Sequence, residues 1–190
     1  QSVDFRRALS VAIDRQEMNE IVYSGFGVPL QHTVVRTASF YQQKWGQNAA
    51  EFDPDQANAL LDGLGLTEKN ASGIRLRPDD GKPLQIIIEM DANAPSDQLQ
   101  IHELTADYWR NVGIEVLIRG LGAGASRPEY ETMEWDVWIS QQNRGEMYVT
   151  LLDDVELQGF RHWGWTQWVR ANEEIEQGYK TAADFPDGLP

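Results

Sequence analysis

The chain has 190 residues, enough for one domain or one large lobe. Thirty acidic residues against 16 basic ones give a formal net charge of -14, which excludes the basic face that a nucleic-acid partner needs and argues against an anionic membrane surface. Cysteine is absent, so disulfides, thiol nucleophiles and thiolate metal sites are excluded together, and an oxidising, extracytoplasmic space is compatible with the sequence. No apolar run reaches a membrane-spanning length. The sequence opens on Gln1 with neither Met nor a charged and apolar leader, which predicts a processed or excised piece.

Residues 3–25 read as two consecutive helices. Asp4 is positioned to cap the first, and Phe5, Leu9, Ala12 and Ile13 recur at helical spacing. Asp14 followed by Glu17 forms a capping box that restarts the helix at Arg15. Gly25 and Gly27 end it, and Pro29 prevents its restart. Residues 30–52 lack clear periodicity and predict a long ordered loop, in which Phe40, Tyr41 and Trp45 either pin the loop to the body or reach a ligand. Asp53-Pro54 is a sharp helix start, with Ala57, Leu60, Leu61 and Leu64 as the buried stripe.

Two turn clusters, Asn70-Ala71-Ser72-Gly73 and Asp79-Asp80-Gly81-Lys82, bracket a short strand at 74–77 and predict a small hairpin. Residues 84–90 are almost continuously apolar, which predicts a strand covered on both faces. A helix follows from Pro95-Ser96-Asp97, carrying Ile101, Leu104, Thr105, Tyr108, Trp109 and Val112 at helical period. Gly113 stops it, and 114–118 is the next strand. Strand, helix and strand in that order form a crossover between parallel neighbours. The Gly-rich segment 120–126 lacks the Lys and hydroxyl of a phosphate loop and reads as a connection. A short helix at 127–132 and a strand at 135–139 complete a β-α-β-α-β pattern. The fold class is therefore α/β: a mixed, mostly parallel sheet flanked by helices, in a single domain over 1–190.

That last strand carries the functional signal. Trp135-Asp136-Val137-Trp138-Ile139 gives way abruptly to Ser140-Gln141-Gln142-Asn143-Arg144-Gly145. Ligands of open α/β sheets bind outside the carboxyl ends of the strands, and amides that both donate and accept suit a neutral, hydroxyl-rich or amide-rich ligand. Trp138, Gln141, Gln142, Asn143 and Arg144 are therefore candidate ligand contacts, a surface turn being the plain alternative. Downstream, Trp163, Trp165 and Trp168 cluster, either as stacking platforms or as a core wedge. Trp168, Ala171, Ile175 and Tyr179 are spaced to share a helical face.

Other chemistries find little support. His32, His102 and His162 lie far apart and form no metal-binding pattern, so neither a metal nor a cofactor is expected. Glu129, Glu131 and Glu134 raise a glycosidase alternative, which needs two opposed carboxylates at a defined separation. A run of acids beside a short helix is more often a solvated face.

Taken together, FRRALSVAIDRQEMNEIVYSGFGVP, FDPDQANALLDGLGLTEKN, RLRPDDGKPLQIIIEM, TADYWRNVGIEVLI and EWDVWIS stand in the order and spacing of one family. The chain resembles the second lobe of family 5 extracellular solute-binding proteins, the peptide, nickel and oligosaccharide receptors of ABC importers. The resemblance implies one lobe of a type-II-like periplasmic binding protein that closes on its ligand like a hinged clamp. It also implies a periplasmic or lipid-tethered extracytoplasmic location, a membrane permease as partner and no catalysis. In peptide-binding members a carboxylate soon after the last strand anchors the ligand's amino group. The nearby position here is Asn143, followed by Arg144, and an amide cannot neutralise an ammonium. The expected ligand is thus an oligosaccharide or an oligopeptide, the former suiting the amides better. Trp163 and Trp165 resemble a Trp-rich stretch near the cleft. A carbohydrate-active hydrolase and the sensory lobe of a regulator are the alternatives.

Overall fold

The computed structural model describes residues 2–31, 33, 41–121, 136–138, 171–172 and 174–184. It is a mixed helix-and-sheet fold built on a small parallel sheet. The first two helices form as the sequence predicts. Helix α1 (Val3–Val11) is capped by Ser2, whose hydroxyl accepts from the Phe5 amide at 3.3 Å, and Asp4 sits inside the first turn instead of capping it. Asp4 is one residue too late for a cap but well placed for the helix dipole. Helix α2 (Arg15–Tyr23) is capped by Asp14, which accepts from the Gln16 and Glu17 amides at 3.0 and 2.9 Å. Glu17 does not close the box, because its carboxylate accepts instead from the Tyr108 hydroxyl at 2.7 Å.

The expected loop at 30–52 contains a short helix, α3 (Gln43–Gln47). Its docking explains it: the Gln31 amide donates to the Gly46 carbonyl at 2.8 Å, and Gly46 is buried beside Leu30 and Thr33. Five residues carry too little periodicity to be legible. Helix α4 (Pro54–Gly63) begins at Asp53, whose carboxylate accepts from the Gln56 amide at 2.8 Å. The Asp53 amide in turn donates to the Val11 carbonyl at 2.8 Å, tying the start of α4 to the end of α1.

Strand β1 (Gln85–Asp91) runs parallel to β2 (Glu115–Leu121) and to β3 (Val137–Trp138), in the order β2-β1-β3. Helix α5 (Ser96–Asn111) is the crossover between β1 and β2. The hairpin expected ahead of β1 is reduced to two isolated antiparallel bridges, Lys69 with Arg75 and Leu76 with Pro83. The core lies between one sheet face and the helices: Ala8 and Val11 of α1, Ala57 and Leu61 of α4, Ala106 and Trp109 of α5, with Ile86, Ile88 and Val116 from the sheet. Trp109 also donates its indole N–H to the Leu9 carbonyl at 2.9 Å, satisfying the polar end of a buried ring.

The second sheet face departs from the expectation of full cover. Ile87 is only half-buried and its register partner Leu117 is 47% exposed. An apolar run predicts burial of every position, yet within the described residues only one face of β1 and β2 is uniformly packed. At the C-terminal end Ala171 is buried in a helical turn, but Tyr179 is exposed beyond Gly178, whose φ of 75° breaks the helical phase that would have aligned them.

Buried polar groups hold the loops. Arg75 is 1% exposed and is fully used. Its guanidinium donates to the Val112 carbonyl at 2.8 Å, to Asn58 Oδ1 at 2.6 Å, to Asp62 Oδ1 at 2.5 Å and to the Leu66 carbonyl. One side chain thereby clamps the end of α4 to the turn that leaves α5.

Candidate ligand-binding site

The three parallel strands point the same way, so their carboxyl ends form one edge at Asp91, Leu121 and Trp138. The backbone prolongs this edge. The Ala92 amide donates to the Leu121 carbonyl at 2.9 Å, one step past the last residue of β1. A Cβ at Gly120 would lie 3.4 Å from that of Ala92, so β2 and the turn into α5 are in close contact there. Helix α5 then starts at Ser96, five residues after β1 ends, with Asp97 in its first turn.

At the same edge lies an ion pair that sequence reasoning did not single out. Glu89 and Arg119 are register partners on adjacent strands, and the Arg119 guanidinium donates to Glu89 Oε1. Glu89 is 1% exposed, whereas the Arg119 side chain is about half exposed. A buried carboxylate is retained only when paired and hydrogen-bonded, so Glu89 fixes where the Arg119 charge stands. The signal was present: one acid interrupts Ile86-Ile87-Ile88 and Met90 in an otherwise apolar strand.

Asp136 attaches β3. Its carboxylate accepts from the Ile87 amide at 2.9 Å, taking the place of a ladder carbonyl one residue before the strand begins. Trp138 is the backbone register partner of Glu89, at the carboxyl end of β3. The other sequence-predicted contacts, Gln141, Gln142, Asn143, Arg144, Trp163 and Trp165, lie outside the described residues, as do Glu129, Glu131 and Glu134. Tyr41 is described and lines a hollow with Leu30, Gln43 and Gln47. Trp45 faces a groove along α1 with Val3, Arg6 and Arg7, while Phe40 lies outside the described residues.

A cavity of about 610 Å³ opens at the opposite end of the sheet, between α1 and the starts of β1 and β3, with Phe5, Leu9, Leu84, Trp109 and Asp136 in its walls. Its size alone does not make it the ligand site. It lies at the amino ends of the strands, whereas ligands of open α/β sheets bind outside the carboxyl ends, the side of the turn into α5. Among the described residues no three His, Asp or Glu groups converge on a point that a metal ion could occupy. His102 is fully buried on α5, with Nδ1 at the Gln98 carbonyl and Nε2 without a partner; His32 and His162 lie outside the described residues.

Residues 1–150 match the sequence model of the bacterial extracellular solute-binding proteins, family 5 middle. The chain belongs to that family. No curated protein matches it by sequence. Solved structures of the same fold include an oligopeptide-binding protein, OppA, at 28% identity and a TM-score of 0.76 over 88% of this chain and 26% of that one. NikA from Brucella suis, in complex with Fe(III)-EDTA, is 25% identical with a TM-score of 0.60 over 74% of this chain and 27% of that one. The periplasmic binding protein MelB from Agrobacterium fabrum, in complex with stachyose, is 19% identical with a TM-score of 0.59 over 73% of this chain and 21% of that one. The family 5 chain thus spans about a quarter of the length of the solved structures it matches. Family 5 proteins are, by description, extracellular solute-binding proteins of bacteria. Among the described residues no helix is long and apolar enough to cross a membrane.

Proposed function

We propose that the chain is the second lobe of a two-lobed solute receptor that captures an oligosaccharide and delivers it to an ABC permease in the membrane. The observation that carries this reading is the parallel β2-β1-β3 edge, with Trp138 at the end of β3 and an uncharged amide run immediately after it. In this reading Trp138, Trp163 and Trp165 stack on sugar rings, while Gln141, Gln142 and Asn143 donate and accept at hydroxyls and Arg144 donates to them. Closure of the opposing lobe expels water and completes the pocket. A binding protein of similar fold holding stachyose supports the substrate class. The family's extracellular description supports a periplasmic or lipid-anchored setting for the full-length protein.

An oligopeptide is the second reading, favoured by the 28% identity to OppA. The two differ at Asn143, where a peptide's ammonium would want a carboxylate. Calorimetric titration of the full-length receptor separates them. A neutral oligosaccharide such as stachyose is expected to bind, with Trp138→Ala weakening it by about 10-fold or more. Binding of tri-alanine but of no oligosaccharide, or affinity untouched by Trp138→Ala and Asn143→Ala, would overturn the sugar reading.

A further inference from the structure

The turn at 70–73 carries more chemistry than a turn requires. Its backbone closes by itself: the Asn70 amide donates to the Ile74 carbonyl at 2.8 Å and the Gly73 amide to the Asn70 carbonyl at 2.9 Å, with Gly73 at a φ of 78°. The Asn70 side chain joins in, its Oδ1 accepting from the Ser72 and Ile74 amides at 2.9 and 3.0 Å. Two backbone donors fix which end of the carboxamide they meet, so Nδ2 is the end left over, and it bonds to no described residue. Turn chemistry accounts for Asn70 and Gly73. It does not account for Ser72, whose hydroxyl takes no part in the turn, or for Glu68, whose carboxylate pairs with no described cation. Residues 67–69 and 71–73 are all exposed.

Asn70-Ala71-Ser72 is an asparagine with a hydroxyl residue two positions on and no proline between, the acceptor pattern of N-glycosylation. No other asparagine of the chain has Ser or Thr at that spacing. The three residues alone are a weak signal. Their weight comes from context, an exposed turn in a protein of an extracellular family, and both parts of that context are present. Bacterial transferases that read this pattern also select an acid two residues before the asparagine. Glu68 stands there, exposed and open to a cationic side chain of such an enzyme. The two residues that the turn leaves unexplained are thus the two that an acceptor site adds.

The place of the turn suits a bulky addition. Its base lies across the amino ends of the sheet: the Arg75 amide donates to the Gly113 carbonyl at 2.7 Å, the Leu84 amide to the Arg75 carbonyl at 2.7 Å and the Glu115 amide to the Leu84 carbonyl at 2.9 Å. Strand β1 then runs seven residues to the carboxyl edge, roughly 20 Å away. Ligands of such sheets bind at that far edge, so a glycan at residue 70 stands clear of it. A Cβ at Gly73 would meet nothing within 4 Å, so space around the turn is open.

We propose that Asn70 is an N-glycosylation site, taking an oligosaccharide from a polyprenyl-pyrophosphate carrier. In the transfer Asn70 Nδ2 attacks C1 of the first sugar. The C1–Nδ2 bond forms, the bond from C1 to the pyrophosphate oxygen breaks with its electron pair leaving on the pyrophosphate, and Nδ2 gives one proton to a carboxylate of the transferase. Nothing is oxidised or reduced. The test uses the full-length protein purified from its own host, with the peptide that contains Asn70 read by mass spectrometry under electron-transfer fragmentation. An oligosaccharide mass on Asn70 is expected in wild type and in Ser72→Thr. It is expected to be lost in Ser72→Ala, in Glu68→Gln and in Asn70→Asp, which keeps an oxygen for the Ser72 and Ile74 amides but has no nitrogen to modify. All four variants are expected to melt as unglycosylated wild type does, because each preserves the bonds of the turn. Bare Asn70 in the wild-type protein from its host overturns the assignment. So does a mass that persists in Ser72→Ala, since a transferase reading the hydroxyl would not have placed it. Either failure leaves the solute-receptor reading standing, because no ligand contact is involved.

Discussion

Arg75 and Glu89 are charged residues that fold into the interior, and only Glu89, a lone acid in an apolar strand, leaves a sign of it in the sequence. Arg75 lies between two turn clusters in a segment that reads as the short strand of a small hairpin. What buries it is the meeting of four carbonyl and carboxylate groups, from Asn58, Asp62, Leu66 and Val112, and no local pattern encodes that convergence. Replacing it is correspondingly severe. Arg75→Met leaves the Leu66 and Val112 carbonyls without their donor and is expected to cost about 3–5 kcal/mol, read as a lower urea midpoint. Arg75→Lys is expected to recover only part of this, because an ammonium cannot span four acceptors in the plane that the guanidinium fork reaches. Equal midpoints for Arg75→Lys and wild type would show that charge alone holds the clamp. Gly113 belongs to the same clamp: with φ at 90° and a Cβ position 2.9 Å from Arg75 Cγ, it is fixed by local backbone and by a distant neighbour at once. The first reason is readable as a helix stop; the second is not.

Helices fared better than loops because their boundaries are written in local chemistry. Asp14, Asp53-Pro54 and Gly113 each predict an end that the structure keeps, since caps and stops act within three or four residues. Helix α3 was missed because five residues gain their order from Leu30, Gln31 and Thr33, not from periodicity. The α2–α5 contact was missed in part because the Asp14–Glu17 spacing suggested that Glu17 was already spent on a cap. Its use by Tyr108 makes the contact sensitive to alkali. Burial, and then the hydrogen bond and charge of Glu17, raise the Tyr108 hydroxyl above its ordinary value. A raised value in the folded state means that the unfolded chain releases this proton first. The contribution is therefore complete below the ordinary tyrosine range near pH 10 and is lost as the pH rises above it. Denaturant midpoints of wild type are expected to fall across that window, and Tyr108→Phe, after an initial loss of about 1–2 kcal/mol at neutral pH, to fall less steeply. Parallel curves for the two proteins would place the alkaline loss elsewhere.

At the scale of the whole molecule, the order of elements was enough to predict a crossover and a parallel sheet, and the sheet order β2-β1-β3 agrees with it. A β-α-β pattern has few ways to fold once handedness and short connections are imposed. The carboxyl edge was legible for the same reason, as a consequence of topology. The charge it carries was not, because Glu89 and Arg119 come together only when β1 and β2 align, 30 residues apart. Topology also bears on binding strength. One edge supplies one wall of a cleft, and the family's solved members are roughly three times as long as this chain. If affinity arises from enclosure between two lobes, the 190-residue chain alone should bind a solute far more weakly than the full-length receptor does. Loss of half of the contacts and of the water-excluding closure is expected to cost about 100-fold or more in affinity. The comparison is a pair of calorimetric titrations with the solute identified by native mass spectrometry of the full-length receptor, after circular dichroism has shown the isolated chain to be folded. Matching affinities would mean that this lobe holds a complete pocket by itself, and the clamp would then serve delivery rather than capture.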